Sequence, residues 1–225
     1  MNCEIKGGNF PVALCNMEQG QAIMCESGAM AWMNGGVKME TNTGGGIGKM
    51  LGRAFSGESL FLNRYVAESP GLLALSANSP GEIREVDITG RTIVVQKGSF
   101  LAMDEGINLD VFFQKKVGSG FFGGEGFIMN KLSGNGKVLI EIDGGAVEYD
   151  LAAGEKMTID TGYLVMMDDT CSIDVVMIKG VTNVLFGGEG LFNTVITGPG
   201  HIILQTRPLV QFASKVAEMV AAIKK

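Results

Sequence analysis

The sequence predicts an all-β protein made of three internally repeated sandwich- or barrel-like modules around a pseudo-threefold axis, followed by a C-terminal α-helix. Glycine is very frequent, at 34 of 225 residues, and helix-forming residues do not dominate. Short apolar runs rich in β-branched residues lie between these glycines, which favours strands joined by tight turns. Three motifs also recur in the same order along the chain, which indicates a repeat architecture.

The first motif is a Phe-x-Gly-Glu turn, whose three glutamates are Glu58, Glu125 and Glu189. The second places an apolar residue, a glycine and a methionine at fixed distances after Gly20, Gly90 and Gly154. The third is a turn that occurs as Ser69-Pro70-Gly71, Gly134-Asn135-Gly136 and Gly198-Pro199-Gly200. Their order and nearly equal spacing predict repeats at about 1–79, 80–142 and 143–207.

Each repeat contains short apolar runs with strand periodicity. Val138, Ile140 and Ile142 alternate with other residues, so they are expected on one face of a strand, toward the core. A unit of about 65 residues is marginal alone, so three units are expected to share one core in a single domain, 1–225.

Helical spacing begins after Pro208. Apolar residues follow at 212, 216, 219, 220 and 223, which predicts a helix within 208–225. We expect this helix to lie against the β body.

Composition excludes several classes of protein. The chain has 18 basic and 24 acidic side chains, a formal charge of −6, and therefore disfavours nucleic acid as a partner. No apolar run reaches transmembrane length, and the N-terminus lacks the blocks of a secretion signal. Four cysteines without CxxC spacing indicate a reducing cytoplasm rather than a disulfide scaffold or zinc site.

Aligning the repeats tests each reactive side chain. Cys25 and Cys171 align with aliphatic residues of the other copies, so both are predicted to fill the core. His201, the only histidine, aligns with Leu72 and Lys137 and is expected on the surface beside a turn. No catalytic triad, cofactor motif or histidine metal site is supported, so the protein is predicted not to be an enzyme and to need no cofactor.

Two sets of acidic residues do recur. Glu58, Glu125 and Glu189 belong to the repeated turn, and a second set consists of Glu40, Asp110 and Asp174. Carboxylates related by a threefold axis could converge on a cation. The alternative is structural, because a glutamate at a strand entry commonly accepts backbone N–H groups or pairs with a lysine.

The stretch Thr43–Phe55, TGGGIGKMLGRAF, superficially looks like a nucleotide-binding loop. Thr43 stands where a P-loop needs its first glycine, and Met50 stands where it needs a hydroxyl, so no nucleotide is predicted. A contact loop is defined instead by Lys49, Met50, Leu51 and Arg53, which combine basic and apolar character. It suits a partner subunit or an anionic membrane surface, and a simple solvated loop is an equal alternative.

The segments MNGGVKMET (33–41), GGGIGKMLGRAFSGESLFLNRYVAESPG (44–71) and PGEI (80–83) resemble the altered-inheritance-of-mitochondria twenty-four family. The resemblance extends over nearly the whole chain. It implies modules similar to the tryptophan RNA-binding attenuation protein, a short double-stranded β-helix. It implies no established activity and no catalytic residues; the association of mitochondrial members with inner-membrane organisation implies a scaffold or adaptor at most.

These observations predict a non-enzymatic interaction or scaffold protein that forms a homo-oligomer and binds a protein partner. A binder of small molecules or metal ions is the first alternative, and an RNA-binding protein, by analogy of fold alone, is the second.

Overall fold

The computed structural model describes residues 1–40, 62–115, 126–177 and 192–223. The all-β fold and the C-terminal helix predicted from the sequence are confirmed. The strands are β1 Cys3–Lys6, β2 Val12–Met17, β3 Ala22–Glu26, β4 Met30–Glu40, β5 Leu62–Ser76, β6 Gly81–Asp87, β7 Ile93–Gln96, β8 Phe100–Asp104, β9 Ile107–Lys115, β10 Phe127–Gly134, β11 Lys137–Asp143, β12 Ala146–Leu151, β13 Lys156–Asp160, β14 Leu164–Asp168, β15 Ser172–Met177, β16 Phe192–Thr197 and β17 Gly200–Gln205. The helix, α1, is Leu209–Ile223.

The chain divides into two compact units that do not follow the repeat boundaries. Unit 1 consists of Met1–Gly90, Phe100–Ile107 and Gly134–Glu141. Unit 2 consists of Arg91–Ser99, Asn108–Ser133 and Ile142–Lys225. The pseudo-threefold arrangement and the single three-repeat domain stay predictions.

Unit 1 is built on one sheet whose strands run in the order β1-β2-β5-β3-β8-β11-β6, with β4 paired to β5. Strand β5 organises this sheet, because its 15 residues pair with β2, β3 and β4. Its core contains Cys15, Tyr65, Leu73, Leu75 and Leu101, all buried.

Unit 2 contains two sheets. One has the order β12-β17-β14-β7-β10-β9, and a three-stranded sheet has the order β13-β16-β15. Its core includes Phe127 and Met129 from β10, Leu164 and Met167 from β14, and Ile196 from β16. The Phe113 and Phe127 rings meet edge to face, with their centroids 6.3 Å apart.

One irregular pairing occurs in each sequence repeat. The pairs β4–β5, β8–β11 and β14–β17 are all antiparallel, and each register shifts by one residue near the start of its first strand. The residues that the shift leaves without an opposite partner hold aligned positions: Ala31, Leu101 and Val165. An extra residue of this kind is a β-bulge, which bends its strand and increases the local twist.

A side-chain hydrogen bond accompanies each bulged pair. The residue after the recurring methionine accepts a bond from the backbone N–H of a residue on the paired strand. The three bonds join Asn34 Oδ1 to Leu72 N (3.1 Å), Asp104 Oδ2 to Lys137 N (2.8 Å) and Asp168 Oδ2 to His201 N (2.9 Å). We call this contact the strand-pair hydrogen bond. It explains why a short side chain with an oxygen acceptor recurs at this position.

Glycine is required beside this bond in two of the copies. Gly136 has a φ of +140°, and a Cβ there would lie 2.8 Å from Asp104 Oδ2. Gly200 has a φ of +150°, and a Cβ there would lie 3.2 Å from the Asp168 Cβ. A larger residue would therefore push the acceptor away from the N–H that it binds.

Strand β11 differs from the sequence expectation in one respect. Val138, Ile140 and Ile142 are buried as predicted, but Leu139 and Glu141 on the other face are buried too. The Glu141 carboxylate accepts bonds from Asn78 N (2.6 Å) and Asn78 Nδ2 (2.9 Å). These two hydrogen bonds from Asn78 let the Glu141 carboxylate occupy a buried strand position.

The position of α1 also differs from the expectation that it lies against the β body. Its first turn is fixed to unit 2, because Leu209 N donates to Asp143 Oδ2 (2.6 Å) and Gln211 bonds both Asp160 and Tyr163. The apolar residues whose spacing predicted the helix are not covered. Large side chains between 38% and 83% exposed are Leu209, Val210, Phe212, Val216, Met219, Val220 and Ile223.

Replacing Asp168 tests the strand-pair hydrogen bond. Asp168→Ala removes the acceptor of His201 N–H, and we expect the free energy of unfolding to fall by about 1–3 kcal/mol. Asp168→Asn keeps a side-chain oxygen, as Asn34 does in the first repeat, and should lose less than about 1 kcal/mol. Urea unfolding followed by fluorescence measures both. Equal destabilisation by the two variants would show that this bond does not stabilise the β14–β17 pair.

Candidate functional site

The residues to which the sequence assigned binding lie outside the described parts of the chain. They are Glu58, Glu125 and Glu189 of the repeated turn, and Lys49, Met50, Leu51 and Arg53 of the contact loop. Both assignments stay predictions.

The second acidic set is described, and one of its members has a structural contact. The Glu40 carboxylate pairs with the Arg64 guanidinium, which also binds Glu105 across 2.7 Å. The hydrogen bond to Glu105, reinforced by the one to Glu40, raises the pKa of Arg64. Asp110 and Asp174 are exposed. Across the described residues, no group of three or more His, Cys, Asp and Glu side chains is arranged to hold a metal ion.

His201 lies on β17 between two carboxylates of the neighbouring strand β12. Its Nδ1 is 2.7 Å from Asp150 Oδ1, and its Nε2 is 3.2 Å from Glu148 Oε2. The sequence predicted the position beside a turn but not these partners. They follow from the register, which places Asp150 directly opposite His201. A carboxylate oxygen therefore faces each of the two ring nitrogens.

The cysteines divide into two pairs. Cys25 and Cys171 are buried and free, as the repeat alignment predicted. The expectation that the chain contains no disulfide is wrong for Cys3 and Cys15, which are joined in a disulfide. These two residues are directly opposite each other in the β1–β2 pair, and that register brings their sulfurs together. Disulfides persist mainly in oxidising compartments, so this bond does not favour the predicted cytoplasmic location.

An exposed apolar surface lies along α1. Seven of its side chains line an open groove of about 590 Å³: Leu209, Phe212, Ala213, Val216, Ala217, Val220 and Ala221. Their spacing of three and four residues places them on one side of the helix. The bonded side chain of Gln211 lies on the other side, toward Asp160 and Tyr163 of unit 2. We call the seven-residue surface the helix stripe.

Isolated apolar side chains are also exposed on strands and turns. In unit 1 the aromatic examples are Phe10 and Trp32, and in unit 2 they are Phe112 and Tyr149. Single exposed apolar residues are normal on protein surfaces, whereas a continuous stripe indicates a contact. Within residues 1–40, 62–115, 126–177 and 192–223, we find no helix that combines the length and the apolar character needed to cross a bilayer.

Comparison with known proteins identifies the family. A sequence profile described as Mitochondrial biogenesis AIM24 matches residues 3–207. The chain belongs to the AIM24 family. The resemblance seen in the sequence motifs is therefore confirmed, and α1 begins two residues after the matched region ends.

Two relatives of this AIM24 chain come from Streptococcus pyogenes. An uncharacterized protein of serotype M6 is 30% identical over 213 residues, which is 91% of this chain and 84% of that protein. An X-ray crystal structure of a protein from Streptococcus pyogenes is similar with a TM-score of 0.80 and 27% identity. That similarity covers 97% of this chain and 99% of the other.

Thiol titration tests the cysteine assignment in this AIM24 protein. Protein denatured without reductant should show two reactive thiols, and reduction should raise the number to four. Burial, with a smaller contribution from Glu26, raises the pKa of Cys25 to about 12. Almost none of this thiol is ionised at pH 8, so native Cys25 should resist iodoacetamide until the chain unfolds. Four thiols before reduction, or rapid native labelling of Cys25, would contradict the assignment; peptide mass spectrometry measures both.

Proposed function

We propose that the protein is a non-enzymatic interaction protein that acts through self-association. The observation that supports this most directly is the helix stripe, which presents apolar side chains to solvent although the start of the same helix is fixed to unit 2. An exposed apolar surface of this extent is unfavourable in water and is typical of a surface that binds a protein.

The roles of the described acidic residues support the same proposal. Asp104 and Asp168 accept backbone N–H groups, Glu141 holds Asn78, and Glu40 pairs with Arg64. These carboxylates are engaged in holding strands and turns together. A described contact of the helix stripe is that of the Arg207 guanidinium, 5.8 Å from the centroid of the Phe212 ring. This one contact does not account for the apolar character of the other stripe residues.

Charge argues against two other kinds of partner. The formal charge of −6 opposes binding to the phosphate backbone of nucleic acid. Helices that lie on anionic membranes have a polar face rich in Lys and Arg. Between residues 209 and 223, this sequence contains one lysine, Lys215, and one glutamate, Glu218. A protein surface therefore fits α1 better than a phosphate or lipid surface does.

The proposal is tested by the mass of the intact protein in solution. Light scattering coupled to size-exclusion chromatography should give a mass above the monomer value of 23.8 kDa, and it should rise with protein concentration. Strict monomer behaviour from about 1 μM to about 1 mM would refute self-association. A dimer that is still dissociated at about 1 mM has a binding free energy weaker than about 4 kcal/mol.

A further inference from the structure

We propose that two copies of this chain pair through α1, with the two helices antiparallel and the helix stripe of each packed against the other. This inference rests on the proposed function and adds the surface and the geometry of self-association. The stripe contains a ridge of large side chains and a groove of small ones, which are the two parts of a helix–helix contact. We therefore assign the stripe to a second copy of the chain.

The helix stripe consists of a ridge and a groove that run side by side. Phe212, Val216 and Val220 follow one another at intervals of four residues and form a row of large side chains. A parallel row directly beside it consists of Ala213, Ala217 and Ala221. Helices pack by fitting such ridges into the grooves of a partner. Alanine on the groove floor lets the second backbone approach closely, so each helix can give a ridge and receive one.

Among the described residues, those that line the groove of about 590 Å³ all belong to α1. The contacts of the first turn fix which way it faces, because Leu209 N binds Asp143 and Gln211 binds Asp160 on unit 2. Turning the stripe inward would break these bonds, and the groove is therefore available to another molecule.

The charges near α1 allow two copies to approach each other, although the net charge of the whole chain makes the copies repel. Two chains of formal charge −6 repel each other. Between residues 209 and 223 the sequence has one lysine, Lys215, and one glutamate, Glu218, and the Arg207 guanidinium lies 5.8 Å from the centroid of the Phe212 ring. The charges at the helix are therefore not net acidic, so this is a place where two net acidic copies repel each other least.

The antiparallel orientation follows from the attachment of the helix. Each α1 is bonded to its own unit 2 through its first turn. A parallel pair would bring two such attachments to the same end, whereas an antiparallel pair places them at opposite ends. Antiparallel alignment also sets opposite ends of the helix dipoles together. The twofold axis then passes near Val216 and Ala217, so each of these residues lies close to its own copy.

The size of the contact predicts its strength. A 15-residue helix is about 22 Å long. The four large side chains of the helix stripe, Leu209, Phe212, Val216 and Val220, are 39% to 48% exposed. They offer about 180 Å² per copy, or about 350 Å² for the pair before the alanines are added, if each full side chain accounts for about 100 Å². This is below the range of standard stable interfaces. We therefore expect a weak, concentration-dependent dimer.

A matched pair of charge substitutions tests the surface. Ala217→Glu places a carboxylate in the groove, and Ala222→Glu places the same charge on the opposite side of the helix. Sedimentation equilibrium of the intact chain should show the dimer dissociation constant rising at least about tenfold for Ala217→Glu. Ala222→Glu should change it by no more than about threefold. Circular dichroism of both variants checks that α1 remains helical.

Cysteine cross-linking provides a second readout that needs no loss of binding. Because Cys25 and Cys171 are buried, an added thiol on α1 is expected to be the reactive one. Under mild oxidation Ala217→Cys should form disulfide-linked dimers at least about ten times faster than Ala222→Cys. Equal rates would overturn the antiparallel pairing through the stripe.

The outcomes separate this inference from the proposed function. If the dimer persists both in Ala217→Glu and after removal of residues 209–225, the helix contact is wrong but self-association stands. A wild-type chain that is monomeric throughout would overturn both. Sedimentation with phosphatidylglycerol vesicles at concentrations where the chain is monomeric tests the lipid alternative. Vesicle binding that Ala217→Glu abolishes, without any dimer, would assign the stripe to a lipid surface instead.

Discussion

The fold depends on a hydrogen bond between a short side chain and the backbone of a paired strand. Asn34, Asp104 and Asp168 each accept one backbone N–H, and each follows a β-bulge in the same position. The bond holds the register that the bulge has shifted. A slip of one residue would move every side chain of the strand to the other face, so the burial of residues such as Leu73 depends on this register.

The aligned sequence motifs placed Asn34, Asp104 and Asp168 directly after the recurring methionines, but they predicted neither the bulge nor the hydrogen bond. The burial of Cys25 and Cys171 could be predicted from the same alignment. The buried Glu141 could not, since an alternating strand looks the same whether one or both faces are covered. The disulfide depends on the register that sets Cys3 opposite Cys15, and no spacing rule gives that register. For α1, periodicity identified the apolar side but not what covers it.

The described residues divide by chemical role. Carboxylates and amides fasten strands to turns, whereas the exposed helix stripe belongs to an element that begins after the AIM24 match ends at residue 207. Membership of the family therefore accounts for the β framework. The contact proposed for α1 requires its own explanation, which is the combination of a ridge and an alanine groove on one helix.

The two units are interleaved along the chain, and this affects how the protein is made. Unit 1 takes its last segment, Gly134–Glu141, from a point after most of the second repeat. A ribosome must therefore synthesise part of unit 2 before unit 1 has all its strands, and contacts between distant residues form slowly. Neither unit corresponds to a continuous gene fragment. Recombination that exchanges a block of coding sequence covering residues 91–141 would therefore alter both units at once.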